Sequence, residues 1–245
     1  MTGSALVTGA SSGIGAAVVR TLTGAGYNVH AMARRADRLA TLAEETGCTP
    51  VVADVRDTDA LEAAVADLSP DVLVNNAGLG AGLTGLVRAS AQDVAATIDT
   101  NVTALLQLSR LLLPGMIARK SGHIINIGSV AGLYPINSAV YGGSKGAVHL
   151  ISQNLRLELR GTGVRVTEIN PGRVTTEFFD VAVPEPVEGI DKAPPIQALT
   201  AQDIADAILF AVHAPAHVNV SMVEIQPTEQ FFGGGGFDPI DWGNR

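Results

Sequence analysis

Short apolar runs alternate with amphipathic stretches along the whole chain. The first run, Ser4-Ala-Leu-Val-Thr8, leads through a glycine-rich turn into a helical pattern of Ala16, Val18, Val19 and Leu22. Comparable runs recur at Tyr27 to Ala33, Thr49 to Val52, Val72 to Asn75, His123 to Ile127, Arg165 to Ile169 and Val220 to Ile225. Between them lie helix-period stretches through Leu39 and Leu42, from Asp59 to Leu68, from Ala91 to Lys120, from Tyr141 to Leu159, and from Ala201 to Ala211. Seven strands with intervening helices predict an α/β fold. It is a single-domain Rossmann arrangement, a doubly wound seven-stranded parallel sheet with helices on both faces.

Several stretches stand out against this alternation. The middle of the longest helical stretch, Leu105 to Leu113, is apolar nearly all round, and Val148 to Leu159 is broadly apolar too. Such helices must be covered on more than one side, which predicts that they pack against their counterparts in a second subunit, as a homotetramer or homodimer. Pro114 is expected to break the first of them near its end. Asn101, polar and a poor helix former, sits in this apolar neighbourhood and either hydrogen-bonds locally or serves a site. Val181 to Pro195 carries four prolines without clear periodicity, which suits a lid, about residues 177–198, over a pocket. The main domain is expected to end near residue 230. Beyond it, a tail over 231–245 holds Phe231-Phe232, four glycines, Phe237 and the only tryptophan, Trp242. A disordered tail rarely concentrates aromatics, so this one is expected to dock across a subunit interface near a site mouth.

Composition narrows the function. Hydrophobic residues make up 47 % of the 245, charged residues 16 %, and the formal net charge is −8. An acidic surface argues against nucleic-acid binding, which relies on clustered Lys and Arg, so small-molecule partners are expected. The single cysteine, Cys48, rules out an intrachain disulfide and fits a reducing, cytoplasmic compartment. No run reaches the ~18 to 20 apolar residues expected of a membrane span, so no membrane partner is predicted. His213 and His217 have a zinc-like spacing, but Pro215 between them would break the helix, and no metal is expected.

The candidate chemistry lies at the carboxyl ends of the strands, where open parallel sheets bind ligands. Gly9-Ala-Ser11-Ser12-Gly13-Ile14-Gly15 joins a strand to a helix, as a pyrophosphate cradle does: glycines allow close backbone approach and the helix N-terminus offers free N–H groups. After the second strand, where an acid would hold the ribose of NAD, the chain has Arg34 and Arg35, which suit the 2′-phosphate of NADP. Asp54, followed by Val55, is placed to accept a hydrogen bond from adenine. Asn76-Ala77-Gly78, directly after a strand, would let a flat ring approach the backbone. Ser129, Tyr141 and Lys145 fall within eighteen residues of one another. On a helix Tyr141 and Lys145 share a face, and a cation beside a phenol favours the phenolate, making it a usable proton donor and acceptor near neutral pH. Arg173, after Pro171-Gly172, is a candidate for an acidic group on a substrate.

These motifs, in order along the whole chain, resemble the short-chain dehydrogenase/reductase family. The resemblance rests on Thr8-Gly9 to Gly15, Asp54, Asn75 to Gly78, Asn101, Ser129, Tyr141-Gly-Gly-Ser-Lys145 and Pro171-Gly172. It implies Tyr141 as general acid/base, Lys145 holding the nicotinamide ribose and lowering the phenol pKa, Ser129 orienting the substrate oxygen, and Asn101 anchoring a water in the proton relay. It also implies Pro171, Gly172, Val174 and Thr176 at the nicotinamide, and Ser129, Tyr134 and Arg173 at the substrate. Gly122 to Ser129 and Pro215 to Thr228 are similar to the bacterial NADP-dependent 3-hydroxy acid dehydrogenases, which act on serine and allo-threonine, and to related semialdehyde and sulfoacetaldehyde reductases. The implied reaction is reversible hydride transfer between NADP and a small alcohol or carbonyl. A broader aldehyde or ketone reductase, or a non-catalytic NADP-binding protein, are the alternatives. The spacing from Ser129 to Tyr141 and the aromatic tail both depart from the family pattern, at the substrate side.

Overall fold

The structure is a computed structural model that describes residues 3–183, 185, 187, 191–231 and 236–242. Parts of the expected lid and tail, residues 184, 186, 188–190, 232–235 and 243–245, lie outside the described residues. One parallel sheet runs in the order β3-β2-β1-β4-β5-β6-β7. Its strands are β1 (Ser4–Thr8), β2 (Asn28–Ala33), β3 (Thr49–Val52), β4 (Val72–Asn75), β5 (Gly122–Ile127), β6 (Val164–Pro171) and β7 (Met222–Ile225). The helices are α1 (Gly13–Gly24), α2 (Ala36–Thr46), α3 (Thr58–Val65), α4 (Ala91–Ile98), α5 (Ala104–Arg119), α6 (Val130–Leu133), α7 (Ala139–Glu158), α8 (Phe178–Ala182) and α9 (Ala201–His213).

Strand side chains alternate between the two faces. On one face Val7, Ala31, Val74, Ile125 and Ile169 pack against α1, α2 and α9 through Val18, Leu39 and Ile208. On the other, Leu6, Met32, Leu73, Ile124 and Val166 meet Leu61 of α3, Leu108 and Met116 of α5, and Leu155 of α7. Covering both faces lets uninterrupted apolar runs form parallel strands. The strand order reverses between β1 and β4, so the crevice at their carboxyl ends is the place where such a sheet takes a ligand.

Three expectations about the longest helical stretch are corrected. Pro114 does not end it: α5 runs on to Arg119, because Leu108, Leu112 and Met116 stay buried against the sheet on both sides of the proline. The stretch is also not one regular helix, for Asp99–Thr103 forms a π-helical turn between α4 and α5. By length and composition, Ala91–Arg119 is apolar enough to cross a bilayer, contrary to the expectation that no run is. Its sheet-facing side is nevertheless buried in the core, while Leu106 and Ile117 are exposed. On α7, Leu150 and Leu157 are exposed as well.

Candidate active site

The β1–α1 turn is built by glycine. Gly9 and Gly13 adopt φ of +65° and +52°, in the left-handed region that side chains avoid. At Gly15, which sits behind the turn and not on its open side, an added Cβ would lie 2.3 Å from the Gly9 carbonyl oxygen, so only glycine lets α1 close on the loop. Thr8 ties the turn to the next one: its Oγ1 accepts from the N–H groups of Asn76 (3.0 Å) and Ala77 (2.9 Å). Ser12 begins α1 without capping it, and its Oγ instead accepts from Arg35 Nη2 at 2.7 Å, leaving the N–H groups of the first turn without a side-chain cap. Arg35 Nε donates to Ser11 Oγ at 3.0 Å. The guanidinium is thereby fixed beside the glycine cradle.

This turn opens into a cleft of about 1040 Å³ across the strand ends. The cleft gathers Gly9, Ser11, Ser12, Gly13 and Ile14, then Arg34, Arg35, Asp54 and Val55, with Asn76, Ala77 and Gly78 on its floor. At its other end stand Ser129, Tyr141, Lys145, Pro171, Gly172, Arg173, Val174 and Thr176. Asp54 lines the cleft, but Arg56 Nη2 holds its carboxylate at 2.7 Å and keeps it below the usual carboxylate range. Tyr134, expected at the substrate, does not line the cleft; its hydroxyl donates to Glu224 at 3.0 Å, because α6 ends there with the backbone turned extended. Among the described residues no group of His, Cys, Asp and Glu could hold a metal ion.

Local structure fixes the reactive side chains. Ser138 caps α7, its Oγ accepting from Tyr141 N–H (3.3 Å) and donating to the Gly82 carbonyl (3.2 Å). Tyr141 lies in the first turn of α7, and Lys145 follows one turn later on the same face. Asn170, wholly buried on β6, accepts from Ser129 N–H at 2.9 Å and sets the start of α6. Asn101 uses its side chain locally: Oδ1 accepts from Leu79 N–H (2.8 Å), and Nδ2 donates to the Leu79 carbonyl and to Ser144 Oγ (2.9 Å each). Ser144 Oγ in turn donates to the Tyr141 carbonyl at 2.7 Å. Asn101 also borders, with Lys145 and Ala77, a void of about 10 Å³. That is near the smallest space that holds one water.

The electrostatics of the pair differ from the expectation that Lys145 lowers the phenol. Burial dominates and pushes Tyr141 up to about 12, with the hydrogen bond from Ser129 pulling the other way. Burial also brings Lys145 down to about 8, opposed by the charge of Glu168. Lys145 Nζ lies 6.0 Å from the Tyr141 ring centroid and donates to the Ile127 carbonyl at 2.7 Å. At neutral pH this gives a protonated phenol beside an ammonium, an arrangement able to deliver a proton.

The substrate side holds residues that spacing did not reveal. The Phe178 ring lies tilted by 50° against Tyr141 with centroids 5.4 Å apart, and Arg173 lies 3.6 Å over the Phe179 ring. Arg173 Nη2 donates to the Asp191 and Lys192 carbonyls, so part of the guanidinium braces the lid segment. The described part of the tail folds onto its own chain: Phe237 lines the cleft and pairs with Gln230, whose Oε1 accepts from Arg173 N–H at 2.7 Å. Buried Glu229 gathers Gln197 N–H (2.7 Å) and Ile240 N–H (2.6 Å), joining the lid segment to the tail.

The sequence pattern of the short chain dehydrogenases matches residues 4–185. The chain belongs to the short-chain dehydrogenase/reductase family. It is 44 % identical over 239 residues to an NADP-dependent 3-hydroxy acid dehydrogenase of Salmonella typhi, covering 94 % of this chain and 96 % of that protein. A serine 3-dehydrogenase of Agrobacterium fabrum is 40 % identical over 243 residues, covering 96 % of this chain and 97 % of that one. Among solved structures, the closed form of a serine dehydrogenase complexed with NADP+ superimposes with a TM-score of 0.87 at 38 % identity, over 97 % of this chain and 100 % of that chain. This short-chain dehydrogenase is NADP-dependent and acts on CH–OH groups. The residues present fit that cofactor: a glycine cradle that a Cβ would fill, an uncapped helix N-terminus, and a guanidinium fixed beside them.

Proposed function

We propose that this enzyme interconverts a small 3-hydroxy acid and its carbonyl counterpart, a 3-oxo acid or semialdehyde. The observation that carries the reaction is Tyr141, a phenol held protonated by burial, hydrogen-bonded by Ser129, and one helical turn from Lys145. NADPH, when bound, supplies the hydride that the carbonyl carbon receives. Tyr141 gives its proton to the carbonyl oxygen, which becomes the alcohol oxygen, and takes one back in the reverse direction. Ser129 orients that oxygen. Lys145 stabilises the phenolate left behind and binds the nicotinamide ribose, and Asn101 anchors the water that resupplies the proton. Arg34 and Arg35 read the 2′-phosphate, and Thr176 meets the nicotinamide amide.

The acidic substrate is supported by the relatives and by Arg173, a guanidinium lining the cleft next to the aromatic wall. Turnover of NADPH with small semialdehydes and 3-oxo acids, absent in Tyr141→Phe, is the expected result of a spectrophotometric screen. A rise in KM for acidic substrates in Arg173→Ala, with KM for neutral aldehydes unchanged, would assign Arg173 to the acid. Equal KM for acids in both enzymes would remove it. A second reading, a broader aldehyde or ketone reductase, is favoured by Phe178, Phe179 and Phe237 at the cleft; turnover of bulky neutral carbonyls alone would select it. No turnover with intact NADPH binding would select the non-catalytic alternative.

A homotetramer or homodimer joined through α5 and α7 would cover the exposed Leu106, Leu150 and Leu157. Leu157→Glu should then lower the mass measured by light scattering. A cytoplasmic location, suggested by the lone cysteine, is open to test by cell fractionation.

A further inference from the structure

A residue outside the reaction itself connects the two ends of the cleft. Glu177 follows Thr176 directly and precedes α8. Its carboxylate lies 2.8 and 2.9 Å from Arg38 Nη1 and 3.3 Å from Arg35 Nη1. Arg35 is the guanidinium that Ser11 and Ser12 pin beside the glycine cradle, so Glu177 occupies the remaining edge of a phosphate-reading group. Arg38, in the first turn of α2, adds a second guanidinium to the same cluster. One residue beyond Glu177, Phe178 leans its ring against Tyr141 and roofs Gly80, where an added Cβ would lie 2.5 Å from the ring.

We propose that Glu177 stands in for the 2′-phosphate of NADP: its carboxylate holds Arg35 and Arg38 until the phosphate replaces it, and the exchange resets Phe178 against Tyr141. Glu177, Arg35 and Arg38 keep 48 %, 40 % and 42 % of their side-chain surface in solvent. Exposed ion pairs are weak, so the contact can be exchanged. A phosphate monoester carries up to about twice the charge of a carboxylate and offers three acceptor oxygens, so it competes well for two guanidinium groups. The 2′-hydroxyl of NAD carries no charge and leaves Glu177 in place. Arg38 thereby becomes a specificity-determining residue alongside Arg35, and the identity of the cofactor is communicated to the wall of the catalytic end.

The test uses 2′,5′-ADP and 5′-AMP, which differ only in the 2′-phosphate, titrated calorimetrically into the wild-type enzyme and into Glu177→Gln and Glu177→Ala. Both variants are expected to bind 2′,5′-ADP about three- to tenfold more tightly at low salt, with the gain shrinking as salt rises, and to bind 5′-AMP as wild type does. Weaker or unchanged binding of 2′,5′-ADP, or equal tightening toward both ligands, would overturn the proposal. Amide hydrogen exchange reads the second half. Saturating 2′,5′-ADP should change exchange in α8 of the wild type, whereas both variants should show the changed rate without ligand and not respond to it. An α8 that ignores 2′,5′-ADP in the wild type overturns the link to Phe178.

Discussion

The two ends of the cleft handle charge in opposite ways. At the arginine end the groups are in the open: Arg34 keeps 67 % of its side-chain surface exposed, and Arg35 and Arg38 hold their partners through solvated contacts. At the tyrosine end Lys145 is 6 % exposed, and burial displaces both members of the pair from their ordinary values. Solvated charges are cheap to hold and quick to exchange, which suits recognition of a ligand that arrives and leaves. Desolvated groups are costly to ionise but respond strongly to one proton or one neighbour, which suits chemistry. The arginine end and the tyrosine end are therefore expected to answer to different perturbations.

The most severe test of that division is Tyr141→Phe. It should lower kcat by about 10²- to 10⁴-fold, the usual worth of a positioned acid/base, while NADPH affinity measured by fluorescence stays within about threefold. A similar loss in both quantities would break the comparison. Arg35→Ala should do the reverse, weakening NADPH binding about ten- to a hundredfold at low salt and less at high salt, with NADH binding unchanged. If kcat at saturation fell instead, the arginine end would belong to the chemistry.

Burial without a ligand gives a third case. His123, on β5, is 1 % exposed and its Nε2 lies 2.8 Å from Thr167 Oγ1. Thr167 Oγ1 donates to the Val220 carbonyl, so Nε2 carries the proton toward Thr167 and Nδ1 is left bare. Burial lowers the imidazole to about 3 from an ordinary 6.5. The unfolded chain therefore takes up a proton that the native state refuses. The contribution of His123 is fully present above about pH 6.5 and is lost as pH falls toward 3, by up to about 1.4 kcal/mol per unit. Urea melts of the wild type and His123→Gln should differ in that slope. A slope unaffected by the substitution would assign the acid sensitivity elsewhere. The smallest expected effect is in Ser138→Ala, which removes the cap over Tyr141 and should cost about 1 kcal/mol of stability. A fall in kcat beyond a few-fold in this variant would show that the cap also aims the phenol.

Much of this was legible from local pattern. The β1 turn, Arg34 and Arg35, Asn76 to Gly78, and the Tyr141–Lys145 spacing all depend on neighbours within a few residues, and all of them line the cleft. Glu177 on Arg38 joins residues 139 positions apart, and Arg173 reaches the Asp191 carbonyl through a lid segment with no periodicity, so neither left a signal in the sequence. Nothing local says that α6 lasts only from Val130 to Leu133 and leaves the Tyr134 hydroxyl on Glu224. The raised phenol was missed for another reason: spacing records the lysine nearby, while desolvation depends on everything packed around the ring. At Pro114 the breaker's local cost says nothing of the burial on either side of it.

The π-helical turn at Asp99–Thr103 has a consequence for how this stretch can change. The turn itself carries Asn101 toward Leu79 and Ser144, while α5 carries Leu108, Leu112 and Met116 onto the sheet. A π-helical turn holds one residue more than an α-helical turn, so deleting one residue from it would restore a regular helix with α4 and α5 still on their faces, and the backbone that aims Asn101 would be lost. A one-residue deletion here would therefore spare the core and fall on the hydrogen-bonded asparagine. The extra residue thus serves the placement of Asn101 and not the packing of the helices on either side.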